Sequence, residues 1–306
     1  MRSYIFMSIV VIIYAGNILT GKAMNDLPPF TIAFFRLLVA FAVLLPFGYR
    51  TAIKQRAIFW DHKKPFLFMT LTGITFFNTF IYGSLQFTTA SNVSVLETFI
   101  PVVTVLLSAW LLKEKLRYIQ WAGILLSFFG AIWVVMDGNV LSLATTNWNI
   151  GDAIMIGAIV CWAIYSILVK RYMTLFPQFG ALLVMSGISV IILLPFVVIE
   201  WIVLGVPYLG TLDHIMGLMY LGIFPSFIAL ILYNRSVEDL GASQASIFLN
   251  FLPVVTIAGA YIWLGESMTI MQIVGALGVI AGVIMTTQFG GKASIQTEVG
   301  TQEKTV

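Results

Sequence analysis

The chain has 306 residues, 60% of them hydrophobic and 9% charged, with a mean hydropathy of +0.99. A domain of that composition has too little polar surface to stay dissolved, so it is an integral membrane protein. Its net charge of +3 reports which loops face which side of the membrane rather than nucleic-acid binding, and its single cysteine, Cys161, excludes an internal disulfide, a CxxC metal site and an iron–sulfur framework.

A spanning helix needs about 20 mainly apolar residues. Such stretches occur in chain order at 3–20, 30–48, 65–84, 90–112 and 118–136, then at 152–170, 178–200, 214–233, 242–264 and 269–289. They predict an all-α fold of ten transmembrane helices. The runs are long and continuous, whereas the strands of an outer-membrane barrel alternate over about ten residues. Arg2 ahead of the first run raises the alternative of a cleaved signal peptide. No A-x-A-like cleavage site follows it, and removing that helix would leave the halves unequal. The end of the chain from Thr297 is polar and expected to be disordered.

The two halves share a pattern. From Ala90 to Ile132 and again from Ala242 to Ile284, at a constant offset of 152 residues, 15 of 43 positions are identical without a gap. They include Pro101 and Pro253, Glu114 and Glu266, Gln120 and Gln272, Gly123 and Gly275, and Gly130 and Gly282. Shared hydrophobicity alone does not align prolines, glutamates and glycines. The prolines read as paired kinks and the glutamates as a shared helix-end role. The glycines, seven apart on one helix face, read as close packing, either at an oligomer interface or between the repeats.

Charge sets the expected orientation. With both termini cytoplasmic, fourteen of the sixteen basic residues fall inside, Lys22 falls outside and Arg36 lies within the second span, the asymmetry that the positive-inside rule describes. Five helices per half then place the second half upside down relative to the first. The segment LLKEKLR at 111–117 has WLGESMT at 263–269 as its counterpart, which keeps the glutamate and loses every positive charge.

The arginine of FFRLLVA at 34–40, the stretch YGSLQFTTASNVSVLETFIPVVTVLLSAWLLKEKL and its counterpart YNRSVEDLGASQASIFLNFLPVVTIAGAYIWLGES together resemble the EamA-type branch of the drug/metabolite transporter superfamily. The resemblance covers nearly the whole chain. It implies a first EamA-like repeat at 1–137, a second at 150–289 and a cytoplasmic tail at 290–306. It further implies a bacterial exporter or exchanger of small metabolites with a central cavity between inverted repeats, and no cofactor.

Motifs of competing classes are missing from the sequence. There is no G-x-x-x-x-G-K-[ST] loop for ATP, and His62 and His214, the two histidines, belong to no metal-binding spacing. Function is therefore sought in polar and aromatic stripes on apolar helices, where lipid cannot satisfy them. At about 100° per residue, Ser91, Ser94 and Thr98 share a face with Pro101, and Ser243, Ser246 and Asn250 share one with Pro253. The third span presents Thr75, Asn78, Thr79 and Tyr82, the first Tyr14 and Asn17, and the sixth Trp162, Tyr165 and Ser166. Serines and threonines on these faces read mainly as packing, since their hydroxyls bond back to their own helix. The asparagines Asn17, Asn78 and Asn250 read as cavity residues, because an amide needs several partners.

Arg36 and Glu97 are the charges inside predicted spans. Each costs on the order of 2.5–3.5 kcal/mol at a helix centre, so neither is expected to face lipid. Arg36 is either a structural anchor or a substrate contact. Glu97 has the apolar Leu249 as its repeat mate, so the scaffold does not require a carboxylate there; it could carry a proton, bind a substrate amine, or partner Arg36. The expected substrate-binding set is Tyr14, Asn17, Asn78, Tyr82, Glu97, Trp162, Tyr165, Ser246 and Asn250. The expected function is secondary transport, by export or exchange, of small organic metabolites such as amino acids across a bacterial plasma membrane. An uptake permease and a non-transporting scaffold or membrane enzyme are the alternatives. A small-molecule substrate and the bilayer are the expected partners, with a homodimer open and no metal or cofactor.

Overall fold

A computed structural model describes residues 2–87, 93, 96–112, 117–136, 138–139, 149–256, 258 and 269–288. Ser91, Ser94, Glu114, Glu266 and the tail at 290–306 lie outside them. Among the described residues every regular element is helical. The helices are α1 (Arg2–Ala23), α2 (Pro29–Lys54), α3 (Lys63–Leu85), α4 (Phe99–Leu111), α5 (Tyr118–Val135), α6 (Ile150–Tyr172), α7 (Gln178–Leu204), α8 (Leu212–Leu240), α9 (Ala242–Thr256) and α10 (Ile270–Gln288), with a short helix, Arg56–Asp61, between α2 and α3. Six of these, α1, α2, α3, α6, α7 and α8, are long and apolar enough to cross a membrane within the described residues, and the other four are shorter apolar helices.

Local chemistry sets the helix ends. α2 and α7 each follow a proline, Pro28 and Pro177, and α2 has Pro29 at its first position, where the missing N–H would be unbonded anyway. α7 and α8 stop at Gly205 and Gly241, whose φ of +86° and +94° suits glycine. Asn149 opens α6 with a capping box, accepting from the Gly151 and Asp152 amides. Several helices outrun their hydropathy boundaries: α2 continues to Lys54, α7 to Leu204 and α8 to Leu240. Backbone hydrogen bonding carries a helix on through polar residues, and hydropathy registers only its apolar part.

Two kinds of irregularity interrupt the regular α-helices. α9 tightens into a 3₁₀ turn at Phe248–Phe251, next to Pro253, which has no N–H to return to the carbonyl four residues back. α3 and α8 each contain a π-helical segment, Thr70–Phe76 and Phe224–Ala229. In each a hydroxyl bonds the carbonyl five residues earlier, Thr75 Oγ1 to Thr70 O at 3.1 Å and Ser226 Oγ to Leu221 O at 2.7 Å. Pro101 sits in the first turn of α4, after a turn at Thr98 that parts α4 from the helical residues Leu96 and Glu97.

The most extensive helix pairs are α5 with α10 and α2 with α7, and α1 with α8 is matched by α3 with α6. Each contact recurs when every helix is replaced by the one five places on. The glycines explain the first pair. A Cβ on Gly282 would lie 2.5 Å from the Gly123 carbonyl, and one on Gly130 would lie 3.0 Å from the Gly275 carbonyl. Between the two readings of these glycines, the structure thus selects contact between α5 and α10 of one chain. Small residues are what permit such an approach where lipid supplies no hydrophobic drive.

The second pair carries a capping interaction. After Pro28 and Pro29, the free amides of α2 point to Glu200 of α7: Phe30 N–H donates to Oε1 at 3.1 Å and Thr31 N–H to Oε2 at 2.8 Å, with the Thr31 hydroxyl adding 2.7 Å. A carboxylate there satisfies orphan donors and complements the helix dipole. Glu200→Ala should therefore destabilise the protein by about 2–3 kcal/mol. A lowered melting midpoint in detergent would show it, and an unchanged midpoint would remove the cap from the account.

Candidate functional site

Near the bundle centre α1, α2, α3, α6, α8 and α9 and the start of α4 enclose a cavity of about 20 Å³, walled by Tyr14, Asn17, Arg36, Asn78, Glu97 and Trp162 together with apolar side chains. That is room for about one water.

Arg36 is 2% exposed and reaches inward. Its Nε donates to Ser226 Oγ at 2.8 Å, and its Nη1 donates to Asn78 Oδ1 at 2.8 Å, to Asn17 Oδ1 at 3.1 Å and to the Tyr82 hydroxyl. The Tyr82 hydroxyl in turn donates to Asn17 Oδ1 at 2.9 Å. A guanidinium only donates, so both amides must turn their oxygens toward it. All four partners are neutral, and among the described residues no carboxylate pairs with Arg36. The charge is solvated by dipoles and left unneutralised, a state that favours an arriving anion.

Glu97 is 4% exposed, and its Oε2 finds no hydrogen-bond partner among the described residues. It is not ion-paired with Arg36, so the partnership held open on sequence grounds is absent. The cavity thus carries a cation in a neutral cradle and, apart from it, a carboxyl group with an idle oxygen. Its apolar side is aromatic. Tyr14 and Trp162, matching positions of the two halves, meet edge to face with centroids 5.7 Å apart, and Phe77 lies against Trp162 at 4.2 Å. The Tyr14 hydroxyl is buried and likewise lacks a partner among the described residues.

Of the nine residues expected to bind substrate, Tyr14, Asn17, Asn78, Glu97 and Trp162 line this cavity. Tyr82 stands behind it, bonded to Arg36 and Asn17. The other three are not in its wall. Tyr165 donates to Asn234 Oδ1 at 2.8 Å, Ser246 bonds back to the Ser243 carbonyl at 2.9 Å, and Asn250 donates to Ser127 Oγ of α5 at 2.7 Å. One face of a helix at 100° per residue is wide enough to serve a neighbour and a cavity at once, and these three serve neighbours. Ser226 and Phe77 were missed. Ser226 lies in an apolar run and gains its role only because the π segment turns it toward Arg36.

Comparisons with known proteins agree with this architecture. A model described as the EamA-like transporter family matches residues 1–136 and 149–288. An uncharacterized transporter of Bacillus subtilis, YyaM, is 25% identical over 91% of this chain and 93% of its own length. An uncharacterized transporter of Archaeoglobus fulgidus is 26% identical over 94% and 97%. A probable terminal-alkyne amino-acid exporter of Streptantibioticus cattleyicolor is 25% identical over 70% and 69%. One solved crystal structure superposes with a TM-score of 0.76 over 95% of this chain and 98% of the other, at 14% identity, a likeness of fold alone.

Proposed function

The chain belongs to the EamA-like transporter family, and on that premise we propose that it is a secondary transporter moving small organic metabolites such as amino acids out of, or in exchange across, a bacterial plasma membrane. The observation that carries the reading is the pair of separated buried ionisable side chains, Arg36 and Glu97, on one cavity with an aromatic wall. A zwitterion presents a carboxylate and an ammonium group a few ångströms apart. Arg36 suits the first by charge-assisted hydrogen bonds and Glu97 the second, while Tyr14, Phe77 and Trp162 suit an apolar side chain. The relative named as an amino-acid exporter supports the same substrate class.

Alternating access follows from the size of the site. A cavity of about 20 Å³ cannot hold an amino acid, so its walls must part to load and to release. The proposed mechanism is rocking of two inverted five-helix repeats, 1–137 and 150–289, about the glycine seam between α5 and α10. Supporting it are the two matched stretches, the recurrence of helix contacts at five places on, and the π segments at corresponding places in α3 and α8. We assign the protein no catalytic step and no cofactor. The glycine seam is used within one chain and gives no argument for a second copy.

The test is counterflow of labelled amino acids into vesicles containing the purified protein. Saturable uptake driven by unlabelled amino acid inside is expected. Flux indistinguishable from empty vesicles for every amino acid tried would overturn the substrate class, and net inward accumulation in cells would favour an uptake permease. Orientation has its own check, in a Cys161→Ala background. With both termini cytoplasmic, Trp60→Cys should be shielded from an impermeant thiol reagent in intact cells and Thr145→Cys labelled; the reverse pattern sinks the inverted arrangement.

A further inference from the structure

A second, larger cavity, about 760 Å³, opens at the end of the bundle where α2 gives way to the short helix Arg56–Asp61 and α3 begins. Its composition is divided. Arg56, Lys63 and Lys64 contribute to its lining, all three exposed, and among the described residues none of them makes an ion pair or a side-chain hydrogen bond. Asp61, the acidic residue on the same segment, is exposed and bridges none of them. The rest of the wall is apolar, with Ile53 from α2, Phe66 and Leu67 from α3, and Val184 and Ile188 from α7.

The apolar part has depth. Val184 and Ile188 lie six and ten residues after Gln178, where α7 begins, so the slot runs roughly 9–15 Å along the helix axis at about 1.5 Å per residue. Trp60, 72% exposed beside the slot, is the kind of side chain that settles at the level of lipid headgroups. A cluster of cations at the headgroup level above a slot of acyl-chain depth matches a single kind of molecule. A soluble anion would leave the slot unused, and a neutral lipid would leave the cations unanswered. Each Lys or Arg near an anionic membrane surface contributes about 1 kcal/mol, and basic pockets between helices hold anionic headgroups.

We propose that this groove binds an anionic phospholipid, its phosphate held by Arg56, Lys63 and Lys64 and one acyl chain lying in the slot between α2, α3 and α7. Because α2 carries Arg36 and α3 carries Asn78 and Tyr82, a lipid seated there touches two of the helices that build the central cavity. The site does not depend on the identity of the transported solute.

The experiment uses the full-length protein purified in detergent, with phosphatidylglycerol and phosphatidylcholine of identical acyl chains and, separately, inorganic phosphate. Phosphatidylglycerol should raise the melting midpoint and appear as a retained one-to-one adduct in native mass spectrometry, with phosphatidylcholine and phosphate doing neither. The R56Q/K63Q/K64Q variant should melt like the parent in detergent and hold phosphatidylglycerol at least about tenfold more weakly. Ile188→Trp, which fills the slot and leaves the cations in place, should also lose the adduct, which keeps the test decisive if the triple variant fails to fold. Equal effects of the two lipids, an undiminished adduct in either variant, or a shift reproduced by phosphate alone would each overturn the proposal.

Discussion

Arg36→Met is expected to be the most damaging single substitution in the central site, with a stability loss of roughly 3–5 kcal/mol and loss of measurable counterflow. The side chain donates to Asn17, Asn78, Tyr82 and Ser226, which belong to three different helices. Methionine fills similar volume and donates nothing, so Asn78 loses the charged donor to its carbonyl oxygen and the tie between α1, α2, α3 and α8 is lost. Arg36→Lys separates stability from recognition. A lysine keeps the charge but lacks the planar fork whose Nε serves Ser226 and whose Nη1 serves Asn17, Asn78 and Tyr82. It should remain folded and lose affinity for carboxylated substrates by about tenfold or more. The melting midpoint in detergent and counterflow in vesicles measure the two effects. Wild-type values of both in Arg36→Met would reduce the arginine to a bystander.

Glu97→Gln has the opposite signature. The carboxyl Oε2 has no partner to lose among the described residues, and glutamine keeps the side chain's shape with no charge to bury. The variant should therefore melt at or slightly above the parental midpoint. Transport should nevertheless fall at least about tenfold, the order expected when a buried charge-assisted contact to a substrate ammonium is removed. The pH profile then decides between the two roles open to this residue. Loss of the pH dependence of flux marks a proton carrier, whereas loss of preference for amine-bearing over neutral solutes marks an ammonium ligand. Unaltered flux, pH profile and selectivity would falsify both.

Legibility of this chain in its sequence varied with the physics behind each feature. Glu97 stood out because a carboxylate opposite an apolar repeat mate has no scaffold reason to exist. Tyr14, Asn17, Asn78 and Trp162 were legible beside it as polar and aromatic members of apolar helices, but their meeting around one cavity was not, since they come from α1, α3 and α6. Glu200 went unrecognised for the converse reason. At the end of an apolar run it reads as the edge of the membrane, while its partners, the amides of Phe30 and Thr31, lie 170 and 169 residues away. Asn250 and Tyr165 read as cavity residues from their spacing. Whether a polar group faces a cavity or a neighbour depends on what the neighbour offers, and α5 offers Ser127 to the one while Asn234 is offered to the other.

What the sequence determined by itself is the solvent, the helical class, the repeated pattern and the cost of each buried charge. These depend on composition and spacing along one segment, and a membrane enforces them because every span must satisfy its own backbone. Only the tertiary structure decided which helices meet, which face of each turns inward, and how closely. The π segments of α3 and α8 alter the turn of the helix without a compositional mark, and one of them delivers Ser226 to Arg36. The opposition of Gly123 to Gly282 and of Gly130 to Gly275 likewise needs two helices in contact. Such properties belong to pairs of segments far apart in the chain, and packing, not local preference, selects among the pairs.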